Sequence, residues 1–276
     1  MPSTPPRDAD LRTEEYALSD GRTLACTIGG DSRGHPVVAH HGTPGSRLFA
    51  ALLSEQAAEE GVLLVVPDRP GYGRSSSPPP DWTWSDWRDD LEELLDAASI
   101  DRAGVLGFSG GGPFALAAAN GDRATRLGLI SPVVPPAENG LTALATVPFA
   151  LRVFFRLSKA VASITGPDAI VNQYTDRSVS GPVSNAVADD FHEALRPGAS
   201  AVARETRTFA TGSLEPDRPD VPIRGWHGTR DENTPLAPAR SLIEALDGTL
   251  ATPDADHLGT LLDRRQDALE WLSAEE

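Results

Sequence analysis

The sequence predicts an α/β fold, with a mostly parallel β-sheet flanked by helices and an inserted helical cap. Short runs rich in Val, Leu and Ile alternate with longer segments of helical periodicity, which is typical of a parallel sheet. This alternation stops between residues 135 and 219, where the pattern is helical with turn signals at Gly166-Pro167, Gly181-Pro182 and Pro197-Gly198. A chain of 276 residues is long enough for one large domain that carries such an insertion.

Each element follows from its own pattern of apolar residues. The predicted strands are apolar runs rich in β-branched residues, at 22–28, 36–41, 62–68, 103–108, 127–131, 221–227 and 249–253. The predicted helices have apolar residues every three to four positions, at 46–60, 84–99, 111–120, 236–246 and 258–273.

The chain divides into four segments on this basis. The first 20 residues are polar, Pro-rich and acidic, and we expect a flexible tail there. The α/β core is predicted in two parts, at 21–134 and 220–276, separated by the helical cap or lid at 135–219. Phe149, Phe154 and Phe155 either pack the interior of the cap or line a substrate pocket.

The charge balance excludes several classes of partner. The net charge of −16 disfavours binding to nucleic acid and to anionic membrane surfaces. No apolar run approaches the roughly 18 residues of a membrane span, and no signal peptide is evident, so a cytoplasmic location is expected. Only Lys159 among the 24 basic residues is a lysine, which a GC-rich genome would explain. The acidic excess instead predicts a protein adapted to a salty cytoplasm.

Cys26 is the only cysteine, which rules out an intrachain disulfide and a Cys-based zinc site. Because it lies in a predicted strand, we expect a small buried side chain rather than a reactive thiol.

The stretch GFSGG at 107–111 joins a predicted strand to a predicted helix, the context of a G-x-S-x-G nucleophile elbow. Such a turn gives Ser109 a positive φ and exposes its hydroxyl at the end of the strand. Gly107 and Gly111 allow the strand and helix to approach closely, and Gly110 supplies a backbone N–H beside the hydroxyl. A dinucleotide-binding loop needs glycine where Ser109 stands, and a P-loop needs a Lys-Ser/Thr pair that is absent here.

The loop HHGTPGSR at 40–47 follows another predicted strand. The backbone N–H of Thr43 is the best candidate to complete an oxyanion hole with that of Gly110, since Pro44 has no N–H to donate. The alternative is a plain turn between a strand and a helix.

Two further side chains complete a possible triad. Asp231, in WHGTRDENTP after a predicted strand, is suited to orient an imidazole, although a surface or helix-capping carboxylate is the alternative. His257, in DADH at the start of the last helix, is the candidate general base rather than a surface histidine. The order Ser109, Asp231, His257, each beyond a strand, favours this interpretation. Glu138 is held in reserve as the acid.

These motifs together resemble the α/β-hydrolase fold superfamily over about residues 20–272. HGTPG, DRPGYGRS at 68–75, GFSGG, GTRDENTP and the histidine of DADHLG match its landmarks in order. The resemblance implies a nucleophile, base, acid and two oxyanion donors at Ser109, His257, Asp231, Thr43 and Gly110. It also implies structural roles for Asp68 and Arg69. A serine nucleophile argues against the haloalkane dehalogenases and epoxide hydrolases of this fold.

The expected function is cleavage of an ester-like bond, in a carboxylester or lactone, through an acyl-enzyme on Ser109. The expected partner is a small-molecule acyl substrate, and no cofactor or metal is predicted. A perhydrolase, a C–C hydrolase or an aminopeptidase would use the same triad. A ligand-binding or signalling protein without catalysis is a further alternative, because a fold does not determine a function.

Overall fold

A computed structural model describes residues 11–137, 148–214 and 218–274 of the chain. Within these residues the strands form one eight-stranded sheet. The strands are β1 (Arg12–Ala17), β2 (Thr23–Gly30), β3 (His35–His40), β4 (Val62–Pro67), β5 (Ala103–Phe108), β6 (Ala124–Ile130), β7 (Ile223–Trp226) and β8 (Thr249–Ala251). Their order across the sheet is β1-β2-β4-β3-β5-β6-β7-β8, and all pairs from β4 to β8 are parallel. The predicted fold class, a mostly parallel α/β sheet flanked by helices, is confirmed.

The helices surround this sheet. They are α1 (Ser54–Glu59), α2 (Asp86–Ala97), α3 (Gly112–Ala119), α4 (Pro148–Thr165), α5 (Asp168–Val171), α6 (Gly181–Ala194), α7 (Ser200–Thr211), α8 (Leu236–Ala245) and α9 (His257–Ser273). Four of them, α4 to α7, lie in the chain between β6 and β7, where the helical insertion was predicted. No helix in the described segments is long and apolar enough to cross a membrane.

Successive residues of the central strands point to opposite faces of the sheet, and both faces are buried. Val37 and Ala39 of β3 belong to a core shared with α1 and α9, whereas Val38 between them belongs to a core shared with α2, α3 and α8. Cys26 of β2 is fully buried in the second core, as predicted, and burial raises the pKa of its thiol to about 12.

The predicted flexible tail at 1–20 is wrong from residue 12 onward. Residues 12–17 form β1, which pairs antiparallel with β2 along its whole length. Most side chains of β1 are exposed or half-buried, so this edge strand lacks the apolar run that identifies the central strands.

The helix predicted at 46–60 is two shorter pieces. Residues 47–52 form a 3-10 helix, which Ser46 caps by accepting a hydrogen bond from the Leu48 N–H, and α1 follows it. Phe49 and Leu52 are three residues apart and both are buried, a spacing that places side chains on one side of a 3-10 helix.

Candidate active site

Ser109 lies at the sharp turn between β5 and α3, with a φ of 53°. This positive φ confirms the backbone conformation expected of the G-x-S-x-G turn. A Cβ added at Gly107 would lie 2.7 Å from the Cβ of Ala115 in α3, and one added at Gly111 would collide with the His40 carbonyl oxygen. The glycines therefore permit the strand, the turn and the helix to approach closely.

The loop at residues 42–46, called the 42–46 loop below, packs against this turn. A Cβ added at Gly110 would collide with the Thr43 hydroxyl and lie 2.7 Å from the Thr43 Cβ, so the two residues are in direct contact. A Cβ at Gly42 would lie 3.5 Å from the Ser109 Cβ. The two residues proposed as oxyanion donors are thus neighbours, and both flank Ser109.

Asp231 and His257 form a buried hydrogen-bonded pair. The Nδ1 of His257 lies 2.7 Å from Asp231 Oδ2, and the two side chains are 2% and 0% exposed. The other oxygen of Asp231 accepts bonds from the backbone N–H groups of Asn233 and Thr234, each at 2.9 Å. The Thr234 hydroxyl donates to Asp231 Oδ2 at 3.0 Å.

The environment of Asp231 keeps its carboxyl ionised. Burial alone raises the pKa of Asp231, but the hydrogen bonds and charge of His257 and the N–H of Thr234 outweigh it and hold the pKa well below its ordinary value. An ionised carboxylate only accepts hydrogen bonds, so the proton between the pair belongs to His257 Nδ1. The Nε2 of His257 is then left unprotonated in the neutral ring and can accept a proton.

The start of α9 is fixed by contacts that the sequence motifs did not indicate. Asp256 caps this helix by accepting a bond from the Gly259 N–H at 2.8 Å, and its second oxygen accepts from the Thr175 hydroxyl at 2.7 Å. The Leu258 N–H donates to the Tyr174 carbonyl at 2.9 Å. The helical insertion, which contains residues 174 and 175, thereby holds His257 in place.

Two other histidines near the site are buried in the core. His40 bonds the Leu106 carbonyl through Nδ1 at 3.0 Å, and its Nε2 accepts the Trp87 indole N–H at 2.9 Å. Burial lowers the pKa of His40 to about 3 and lowers that of His41 as well. Both rings are therefore neutral hydrogen-bonding elements of the core.

Ser109 and His257 line the same two adjoining cavities. The inner cavity has a volume of only about 50 Å³ and is also lined by Thr43, Tyr174 and Asp190. Its remaining walls are largely apolar and are formed by Pro44, Phe49, Leu52, Phe108, Val187, Phe191 and Leu258. The outer cavity is larger, with a volume of about 260 Å³. The space beside Ser109 and His257 is therefore bordered mainly by apolar side chains.

The structure places two of the three cap phenylalanines. Phe155 is buried in the core and Phe154 is 41% exposed, and both line the outer cavity. The side chain of Phe149 and the reserve acid Glu138 lie outside the described residues. Within the described part of the chain, no group of three or more His, Cys, Asp or Glu side chains could hold a metal ion.

A buried ionic cluster joins the 42–46 loop to the insertion. Arg69 is fully buried and donates to both oxygens of Glu205 in α7, at 2.9 and 2.8 Å. The hydroxyls of Tyr72 and Thr43 each donate to Glu205 Oε2 at 2.8 Å. Arg69 also donates to the Thr43 hydroxyl oxygen at 2.9 Å. The structure thus gives Arg69, expected to be structural, a direct contact with a candidate site residue.

Asp68 has only structural contacts. It is fully buried and accepts the Arg47 N–H at 2.6 Å and the Arg47 guanidinium at 2.9 Å. Arg47 in turn donates to Glu193 of α6 at 2.6 Å.

Asp190 of α6 is a second buried carboxyl of the insertion that contacts the 42–46 loop. Its Oδ1 accepts bonds from both the N–H and the hydroxyl of Ser46, each at 2.7 Å. Burial raises the pKa of Asp190 to about 7, against the effect of these hydrogen bonds. Motif reasoning missed both Asp190 and Glu205, but helical periodicity carries a signal for each. Asp190 lies on the apolar stripe of Val187 and Phe191, and Glu205 lies on that of Val202 and Phe209.

Comparisons with known proteins identify the family of the chain. The model of the alpha/beta hydrolase family matches residues 37–270. A non-heme chloroperoxidase of Streptomyces lividans is 28% identical over 236 residues, which cover 80% of this chain and 83% of that protein.

Solved structures share the fold over almost the whole chain. An esterase from Exiguobacterium antarcticum superposes with a TM-score of 0.72 at 20% identity, covering 94% of this chain and 97% of the esterase. The enol-lactonase of Burkholderia xenovorans LB400 gives a TM-score of 0.71 at 19% identity, with the same coverage of 94% and 97%. Because the family model matches residues 37–270, which are most of the sequence, the chain belongs to the alpha/beta hydrolase family.

Proposed function

We propose that this protein is a serine hydrolase that cleaves a carboxylester or lactone through an acyl-enzyme on Ser109. The proposal rests on one observation: Ser109, which has a positive φ, lines the same cavity as His257, and His257 is hydrogen-bonded to Asp231. The enol-lactonase and the esterase of the same fold support an ester-like bond as the target.

In the proposed mechanism, His257 Nε2 removes the hydroxyl proton as Ser109 Oγ attacks the carbonyl carbon of the substrate. The backbone N–H groups of Thr43 and Gly110 donate to the oxyanion, and each such donor typically lowers the barrier by about 3 kcal/mol. His257 then gives the proton to the leaving alkoxide. Water repeats the sequence on the acyl-enzyme and releases the acid. Asp231 keeps the His257 ring oriented and stabilises its cation.

The insertion is proposed to act as a lid over this site. Val187 and Phe191 of α6 line the inner cavity, and Phe154 and Phe155 of α4 line the outer one. The apolar lining supports a substrate whose groups near the scissile bond are mainly apolar. None of Arg152, Arg156 and Arg177 lines either cavity, so these arginines are not proposed to bind the substrate.

The decisive variant is Ser109→Ala, assayed on a panel of short esters and lactones. We expect its turnover to fall at least about 1,000-fold. A fluorophosphonate should label the wild-type protein at Ser109, as located by peptide mass spectrometry. Ser99→Ala is the matched control, because Ser99 is an exposed serine that also has a positive φ, of 57°. Full activity in Ser109→Ala contradicts the proposal, and absence of turnover by the wild type with tight binding of a ligand favours a non-catalytic protein.

A second candidate is transfer of the acyl group to hydrogen peroxide, favoured by the chloroperoxidase relative. Peroxide would replace water in attacking the acyl-enzyme, releasing a peroxy acid that oxidises chloride to hypochlorous acid and becomes the carboxylic acid. Comparing peroxy acid with carboxylic acid formed at equal turnover of one ester distinguishes the two candidates.

A further inference from the structure

The cluster around Arg69 contacts one of the two peptide groups whose orientation the proposed mechanism depends on. Arg69 Nη2 donates to the Gly42 carbonyl oxygen at 3.1 Å, and Nη1 donates to the carbonyl of His41. The His41 ring bonds the same Gly42 oxygen through Nδ1 at 2.8 Å. The Gly42 carbonyl and the Thr43 N–H belong to a single peptide plane.

In a trans peptide the C=O and N–H bonds point in opposite directions. The bond from Arg69 to the Gly42 oxygen therefore fixes the direction of the Thr43 N–H on the opposite side of the plane. Two donors on one carbonyl also polarise the peptide, which strengthens its N–H as a donor. Arg69 thus acts on the candidate oxyanion donor without touching the reacting atoms.

The Thr43 side chain is fixed by the same cluster. A threonine hydroxyl has one proton, and that of Thr43 is directed to Glu205 Oε2, while Arg69 donates to the hydroxyl oxygen. The hydroxyl therefore has no proton to give to a substrate, which leaves the backbone N–H as the donor that Thr43 offers. Glu205 accepts from Thr43, Arg69 and Tyr72 together, so it holds the guanidinium and the loop in one arrangement.

We infer that Arg69 and Glu205 are positioning residues, which aim the Thr43 N–H at the oxyanion and make the lid helix α7 part of the oxyanion hole. The inference rests on the proposed serine hydrolase mechanism. A cluster that only stabilised the fold would affect unfolding, whereas a positioning cluster also affects the transition state of the folded enzyme.

The test removes the hydroxyl link while leaving the backbone and the ion pair in place. Thr43→Val replaces the hydroxyl by a methyl group of nearly the same shape, and Thr43→Ser retains the hydroxyl. Thr27→Val is the matched control, because the buried Thr27 hydroxyl has no hydrogen-bond partner among the described residues. Glu205→Gln is the companion variant, and it is assayed if urea unfolding shows that it folds.

We expect Thr43→Val to lower kcat about 10- to 100-fold, because the loss of a whole oxyanion donor costs about 100- to 1,000-fold. KM should change less than about threefold, because the bound substrate has no oxyanion before the serine attacks and so does not depend on the oxyanion donors. The affinity for a trifluoromethyl ketone, which forms a tetrahedral adduct with the serine, should fall in parallel with kcat. Thr43→Ser should recover kcat to within about threefold of the wild type, and Thr27→Val should match the wild type.

The inference is overturned if Thr43→Val and, where it folds, Glu205→Gln both keep kcat within about twofold of the wild type, or if kcat falls while affinity for the ketone is unchanged. Ser109→Ala separates this failure from that of the proposed function. An inactive Ser109→Ala beside fully active Thr43→Val and Glu205→Gln refutes the positioning role alone, whereas an active Ser109→Ala refutes the mechanism itself.

Discussion

Asp190 should make the protein less stable as the pH rises from acid to neutral. Burial raises the pKa of this carboxyl from 3.8 to about 7 in the folded protein. Below about pH 4 the group is protonated in both the folded and unfolded states, and its ionisation has no effect on stability. Between pH 4 and 7 the unfolded chain ionises while the folded protein does not, so stability falls with pH. Above pH 7 both states are ionised and the loss is complete.

The size of this loss follows from the shift. One pKa unit corresponds to 1.36 kcal/mol, so a shift of about 3 units lowers the free energy of unfolding by about 4 kcal/mol at pH 8. About 3 kcal/mol of this loss falls between pH 5 and pH 8. Asp190→Asn does not ionise, and its side-chain oxygen can still accept the two bonds from Ser46.

The assay is urea unfolding of the wild type and Asp190→Asn at pH 5, 6, 7 and 8. Between pH 5 and pH 8 the free energy of unfolding of Asp190→Asn should rise by about 3 kcal/mol relative to that of the wild type. Asp189→Asn is the matched control, because it removes an exposed carboxylate one residue away on the same helix. It should show the pH dependence of the wild type. If the free energies of unfolding of Asp190→Asn and of the wild type change with pH in parallel, Asp190 is already ionised in the folded protein at pH 5 and the reasoning fails.

Two further predictions concern Asp231 and the net charge. Asp231→Asn should lower kcat/KM about 10,000-fold on an ester substrate, because an amide does not hold the His257 tautomer that leaves Nε2 free. Exposed Glu232→Gln is its control, and retention of more than a tenth of the activity by Asp231→Asn would exclude Asp231 as the orienting acid. With a net charge of −16, the protein should unfold at higher temperature in 3 M than in 0.1 M KCl, since salt screens its self-repulsion. Equal unfolding temperatures would refute adaptation to salt.

The central sheet could be predicted because its strands are buried on both faces, which requires continuous apolar runs such as VLLVVP in β4. Strand β1 could not be predicted, because its sequence RTEEYA is mostly polar and its structure depends on its pairing with β2. The division of the predicted helix at 46–60 into a 3-10 helix and α1 was missed for another reason. The period of three residues in a 3-10 helix and that of 3.6 residues in an α-helix are difficult to distinguish over so few residues.

Motifs placed Ser109, Asp231 and His257 at the ends of strands, and parallel topology brings such ends to one edge of a sheet. The contacts of Arg69 with Glu205 join residues 136 positions apart, and no local pattern specifies such a pairing. Periodicity indicates that Glu205 faces inward, but its partner depends on how α7 docks on the core. The residues of the candidate site could therefore be proposed from sequence, whereas the cluster that holds the 42–46 loop required the structure.

The burial of Arg69 limits how freely this chain could exchange its insertion with that of a relative. A guanidinium does not lose its charge at physiological pH, so removal of α7 would leave an uncompensated cation in the core. A transplanted insertion would need to bring its own acceptor to the position of Glu205, or the host would need a neutral residue at 69. Any exchange of the insertion should accordingly keep Arg69, Tyr72 and Glu205 together.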